Sequence, residues 1–176
     1  MAGMSPEEHL ERKSSTWAPF TFTPEDYRDV MAVKQGARHL STKVSDVDDD
    51  DVESFKEEIT GGYIYRVNGK AIGCMLFSDY SAFAENTLHI DDLSVLPEYR
   101  SAGMTNKILK LLRQHANTCG AKVITWNPVS EIMQQLTRKV GAQQTVLQIP
   151  LHNNERTAAV DVNSIRVERL SELIAE

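Results

Sequence analysis

The stretch from Leu88 to Gly120, LHIDDLSVLPEYRSAGMTNKILKLLRQHANTCG, constrains this chain more than any other. It begins as a strand, turns through Pro97 and Gly103, and continues as an amphipathic helix. Met104, Ile108, Leu111, Leu112 and Cys119 recur at helical spacing, and Gly120 suits the left-handed residue that ends such a helix. Between strand and helix lies Arg100-Ser101-Ala102-Gly103-Met104-Thr105, where backbone amides open onto the positive end of the helix. A glycine there lets an anion approach the main chain closely, so the turn reads as a phosphate cradle. The plainer reading makes Gly103 a turn glycine ahead of a core helix. The spacing is neither the dinucleotide-binding GxGxxG nor the P-loop GxxxxGK[ST].

The flanking sequence alternates strand and helix signals. Trp17-Ala18-Pro19-Phe20-Thr21-Phe22 reads as an edge strand, since Pro19 has no place in a central one. Thr23-Pro24-Glu25-Asp26 caps a helix with Tyr27, Val30, Met31 and Val33 on its apolar side. Gly61 to Ser78 reads as a hairpin turning at Asn68-Gly69, with Tyr63 to Val67 leading in and Ala71 to Phe77 returning. A further strand opens at Asn86-Thr87, so three antiparallel strands lead into the cradle. After the main helix, Lys122 to Trp126 is a short strand. A helical crossover joins it to the strand before, so the two are expected to run parallel. Asn127-Pro128 ends it. A helix then carries Val129, Ile132, Met133, Leu136 and Val140 up to Gly141, and Gln143 to Leu151 makes a strand.

Two polar segments interrupt this pattern. Ser5-Pro6-Glu7-Glu8 is a good helix start inside a polar N-terminal extension, residues 1–16, that is too short to stand alone. Asp46 to Glu53 is densely acidic. Asp46, Asp48, Asp50 and Glu57 match positions of a calcium loop, but Asp51 replaces its glycine and Glu53 its apolar residue. The plainer reading is an acid-rich start to a helix through Phe55 and Ile59, which the macrodipole favours. No metal site is assigned.

The cradle and its approach, Val95-Leu96-Pro97-Glu98-Tyr99-Arg100, resemble the signature of the GNAT acetyltransferase superfamily. In that family [Q/R]xxGx[G/A] stands between a strand and the main helix; Arg100 and Gly103 fit, while Thr105 stands where Gly or Ala is usual. The resemblance implies an α/β fold of the acyl-CoA N-acyltransferase type, with a central mixed, mostly antiparallel sheet flanked by helices. The βααβββαβαβ order over residues 17–151 agrees, giving a domain at 17–151 between extensions at 1–16 and 152–176. The last third departs from the family's Asn-x-x-Ala…Tyr-x-x-x-Gly-Phe: Asn127 and Gly141 are kept, but Thr137 takes the tyrosine place and Ala142 the phenylalanine place.

Acetyl transfer to an amine requires a fixed thioester, removal of a proton from the ammonium, and stabilisation of the departing thiolate. By resemblance the cofactor is acetyl-CoA. Its pantetheine arm would pair with the main chain at Leu93, Ser94 and Val95, and its pyrophosphate with amides of the Arg100, Ser101, Ala102, Gly103, Met104 and Thr105 turn, with Asn127 nearby. Three residues offer themselves for the acceptor's proton. His89 lies where some members keep a glutamate, and Asp91 or Asp92 would act through water; the alternative is that all three are polar residues of the sheet. Thr137 is no substitute for tyrosine, because an aliphatic hydroxyl is too weak an acid. The resemblance thus implies an N-acetyltransferase acting on an amine of a small molecule or protein. The alternative is a catalytically weak or inactive relative serving as a binding or structural subunit.

Composition narrows the setting. A chain of 176 residues, 41% of them apolar, suits one domain with a real core. A net charge of −6 leaves no basic footprint for nucleic acid, and the acidic run is suited to drawing in a cationic acceptor such as a polyamine or a lysine-rich protein. Cys74 and Cys119 form no disulfide framework and fall in apolar-patterned elements, which predicts buried thiols. Without a signal-like or membrane-spanning run, a soluble cytoplasmic protein with no membrane partner is expected. Beyond Leu151, a strand at Ala158–Val162 and a helix with Val167, Leu170, Leu173 and Ile174 on one side complete the chain. That helix needs a surface, either its own core or a partner, so a homo-oligomer or assembly contact through the C-terminal extension is an expectation.

Overall fold

The computed structural model describes residues 16–38, 49–79, 86–127, 131–150 and 157–174. The helix start at Ser5 and the acids Asp46 and Asp48 lie outside them. The strands are β1 (Thr16–Pro19), β2 (Gly61–Val67), β3 (Lys70–Asp79), β4 (Thr87–Val95), β5 (Val123–Trp126), β6 (Gln143–Pro150) and β7 (Thr157–Arg166). The helices are α1 (Pro24–Arg38), α2 (Asp49–Glu58), α3 (Ala102–Cys119), α4 (Glu131–Val140) and α5 (Val167–Leu173). One sheet runs in the order β1-β2-β3-β4-β5-β7-β6, so the α/β class and the element order expected over 17–151 are found. The described residues form two compact units, one reaching to Leu76 and including Asp92–Tyr99, the other holding Phe77–Asp91 and the chain from Arg100.

In the first unit, β1 pairs antiparallel with β2 from Thr16↔Arg66 to Pro19↔Tyr63. The strand expected through Phe22 stops at Pro19, and Phe22 turns to a positive φ of 58°. Asn68 and Gly69, at φ 50° and 80°, close the β2–β3 connection as a two-residue hairpin turn whose twist matches its strands. Phe20, Val30, Val33, Ile59, Ile64, Cys74 and Leu76 form its core. The backbones are close: a Cβ on Gly62 would sit 2.4 Å from the Met75 carbonyl, and one on Gly36 of α1 2.5 Å from Leu96 Cδ2. Arg66 of β2 bonds Asp26 Oδ1 at 2.9 Å and Asp29 Oδ2 at 2.7 Å, fixing the start of α1. The Thr21 amide and hydroxyl donate to the other Asp26 oxygen at 2.8 and 2.7 Å.

In the second unit, the Thr87–Ile90 part of β4 runs parallel to β5, as the α3 crossover demands. β7, longer than the strand expected at 158–162, lies antiparallel to both β5 and β6 and takes the place between them. Ser101 caps α3 and Gly120, at φ 74°, ends it. The buried face of α3 is Met104, Ile108, Leu109, Leu112 and Ala116. Cys119, expected to be buried, is exposed: it is the last helical residue, where the chain already turns away through Gly120. Phe77 stacks on His115 of α3 with ring centroids 4.4 Å apart. The helix α5 packs on α3 and buries Val167 and Leu170, so its apolar side meets its own chain.

Burial pushes the Asp26 carboxyl upward, but the Thr21 amide and hydroxyl and the Arg66 guanidinium outweigh it and hold its pKa below the ordinary 3.8. A carboxyl depressed in the folded state stabilises the fold above its unfolded pKa, and that contribution disappears as pH falls through the folded value. Asp26→Asn should cost about 1–3 kcal/mol at neutral pH. In chemical denaturation the deficit relative to wild type should shrink below pH 3.8. A deficit that does not change with pH would refute the pairing.

Candidate functional site

β4 carries the candidate acceptor-side residues and leads into the cradle. It is buried at every position but Asp91, which is half-buried. His89 and Asp91 belong to the second unit and Asp92 to the first, and each is held by partners of its own unit.

The parallel register sets His89 opposite Thr125, and His89 Nδ1 is hydrogen-bonded to Thr125 Oγ1 at 2.8 Å. His89 is 4% exposed, and burial lowers its pKa to about 4. Its imidazole is therefore neutral at neutral pH and a weaker base than an exposed histidine. Asp91 accepts a hydrogen bond from the Ser78 hydroxyl of β3. Asp92 is buried, accepts from Ser94 Oγ at 2.8 Å and pairs with Lys34 Nζ of α1 at 3.1 Å. Leu93, Ser94 and Val95 are completely buried.

The turn into α3 has a definite donor geometry. Ser101, extended at φ −151° and ψ 168°, accepts from the Met104 amide through its hydroxyl at 3.2 Å. The Thr105 amide gives the first helical bond, to the Ser101 carbonyl at 3.1 Å, and the Thr105 hydroxyl donates to the same oxygen at 3.3 Å. The Ala102 and Gly103 amides precede that bond and have no acceptor within the helix. Gly103 has no positive φ. Among the described residues, a Cβ there would meet only Ser101 Oγ, at an ordinary 3.7 Å. Neither backbone conformation nor packing demands a glycine, and helical glycine costs up to about 1 kcal/mol against alanine. Two amides without an acceptor in the helix, beside an unobstructed glycine and with the Ser101 hydroxyl and Arg100 in the same turn, fit a diphosphate.

After β5, Asn127 is half-buried. Thr137 accepts from Trp126 Nε1 at 2.8 Å and donates to the Met133 carbonyl at 2.8 Å. Its single proton is thus committed to α4. Sequence reading missed Lys34, Ser78 and Thr125, because nothing in their local sequence marks them; Thr125 is found only once the β4–β5 register is known. Among the described residues, no three His, Cys, Asp or Glu side chains gather as metal ligands, and no helix is long and apolar enough to cross a membrane.

A family model described as "Acetyltransferase (GNAT) family" matches residues 25–142. No curated protein gives a significant sequence match. Among solved structures, yncA from Salmonella typhimurium with its cofactor acetyl-CoA shares 17% identity over 88% of this chain and 94% of that one, at a TM-score of 0.57. The spermidine/spermine N-acetyltransferase SpeG from Vibrio cholerae shares 13% over 91% and 98%, at 0.58. An N-acetyltransferase from Staphylococcus aureus shares 13% over 87% and 99%, at 0.55. At such identities the likeness is one of fold.

Trp126 is 1% exposed, so its indole N–H depends on Thr137 for an acceptor. Thr137→Val keeps the shape and removes that acceptor, and should destabilise the protein by about 1–3 kcal/mol in denaturant unfolding. Thr137→Ser should recover most of the loss. Equal stability of the valine variant and wild type would remove the structural role.

Proposed function

Because the chain belongs to the acetyltransferase (GNAT) family, we propose that it is an acetyl-CoA-dependent N-acetyltransferase acting on an amine of a small molecule or a protein. The observation that carries this reading is the Ser101–Gly103 turn, where amides without an acceptor in the helix meet a glycine that folding does not require. When bound, acetyl-CoA supplies an activated thioester carbonyl. The Ala102 and Gly103 amides and the Ser101 hydroxyl hold the pyrophosphate, with Arg100 adding positive charge. Asn127, half-buried after β5, offers its side-chain amide to the rest of the cofactor.

For the acceptor proton, the half-buried Asp91 is the best suited of the three candidates, directly or through a water. Ser78 keeps its carboxylate in place. His89 is buried, with its Nδ1 bonded to Thr125, and Asp92 is engaged by Lys34 and Ser94. The exposed Asp49, Asp50 and Asp51 at the start of α2, on a chain of net charge −6, favour a cationic acceptor such as a polyamine or a lysine side chain. One observation favours the second reading, a cofactor-binding subunit with little turnover: the Thr137 hydroxyl is committed to Met133 and offers no acid for the departing thiolate.

Calorimetry with CoA should show binding, and Gly103→Asp should abolish it. Aspartate in the first helical turn suits the macrodipole, so the fold should persist and the loss should report the site. No binding by wild type would overturn the cradle. Turnover against a panel of polyamines and lysine peptides separates the two readings. In the active case, Asp91→Asn should lower kcat about 100-fold or more with CoA affinity unchanged. An unchanged rate would remove Asp91 as the base.

A further inference from the structure

Charge is unevenly distributed over the second unit. On a chain whose net charge is −6, α3 carries Lys107, Lys110 and Arg113 and no acidic residue. Near the C-terminal end of α3, three cations from three segments line one cavity of about 180 Å³. They are Arg113 of α3, Lys122 just ahead of β5 and Arg166 at the end of β7; Asn117, Ser171 and Glu168 line it too. Backbone bonds hold these segments together. The Lys122 amide donates to the Asn86 carbonyl at 2.8 Å, and its carbonyl accepts from the Val167 amide at 2.9 Å. Arg166 lies opposite Val123 in the β5–β7 register. Glu168 pairs with Arg166 Nε at 3.1 Å. Arg113, half-buried, and Lys122, exposed, have no ion-pair partner among the described residues.

We propose that this cavity is a second anion site, which binds a phosphate group apart from the cradle. Arg113 lies eleven positions along α3 from Ala102, about 16 Å along the helix axis. Arg166, Glu168 and Ser171 also stand beyond residues 25–142, which the family model matches. Three cations against one carboxylate leave two positive charges uncompensated, close to the charge of a phosphomonoester at neutral pH. A carboxylate ligand would leave one of them unmatched. Arginine presents a planar fork suited to phosphate oxygens, and the Ser171 hydroxyl and Asn117 amide add uncharged donors. The cavity is smaller than the roughly 300 Å³ at which pockets for whole small molecules begin, so it takes the free ion or one group of a ligand. Its lining joins α3 to α5, so an occupant favours the docked C-terminal helix.

Titration of the full chain with sodium phosphate, followed through its amide resonances, tests this. It is run on wild type and on Gly103→Asp, whose blocked cradle makes the result independent of cofactor binding. In both, the amides of Asn117, Lys122, Val167 and Ser171 should shift to saturation with phosphate and not with acetate at equal ionic strength. Arg113→Gln combined with Lys122→Gln should weaken phosphate binding at least about tenfold with unchanged circular dichroism. Glycerol phosphate separates the sources: tighter binding than phosphate supports a phosphorylated small molecule, and equal or weaker binding supports the free ion. Shifts that fail to saturate, or that acetate reproduces, overturn the site and leave the cradle untouched. A double variant with wild-type affinity overturns it as well. Should that variant fail to fold, the shifts in wild type and Gly103→Asp decide.

Discussion

β4 is buried at eight of its nine positions, yet it carries His89, Asp92 and Ser94 among the buried ones. A polar group taken out of water without a partner costs a substantial part of a small protein's net stability. Each of these groups therefore needs a partner, and each is supplied from another part of the structure or from the strand itself. Thr125 comes from β5, Lys34 from α1, and Ser94 reaches back to Asp92. The register of β5 and the placement of α1 are thus tied to the side-chain chemistry of one strand as well as to backbone pairing. A slip of one residue would turn Thr125 away from His89 and leave two buried groups unmet.

The order of elements was legible because proline, glycine and periodicity punctuate the chain clearly. Asn68-Gly69 and Gly120 adopt the left-handed conformations their residue types announce, and the α3 crossover dictates a parallel β4–β5 pair. Two features were not legible. Consecutive strands usually neighbour each other, which would set β6 beside β5, whereas β7 takes that place. Cys119 has the angular position of a core residue, but periodicity does not report that the helix ends there. At the candidate site, the start of α3 was readable between Arg100 and Thr105 because it is local. The partners of His89, Asp91 and Asp92 lie 36, 13 and 58 positions away, as Thr125, Ser78 and Lys34. Only the folded register brings them together.

Thr137 illustrates how one position can serve packing instead of chemistry. Its hydroxyl accepts from a buried indole and donates to its own helix, so the side chain links β5 to α4. Trp126 is among the largest fully buried side chains, and its burial depends on that oxygen. The same residue cannot also release a proton to a leaving group.

Gly103 has a different kind of consequence. Since neither its backbone conformation nor its neighbours require a glycine, mutation at that codon is nearly invisible to folding. An alanine there would, if anything, firm up the first turn of α3. Drift under selection for a folded chain alone would therefore erode the proposed anion cradle silently, leaving expression and thermal stability untouched. A lineage that had exchanged ligand binding for a scaffold role would show the change at this position first, before any sign of it reached the core.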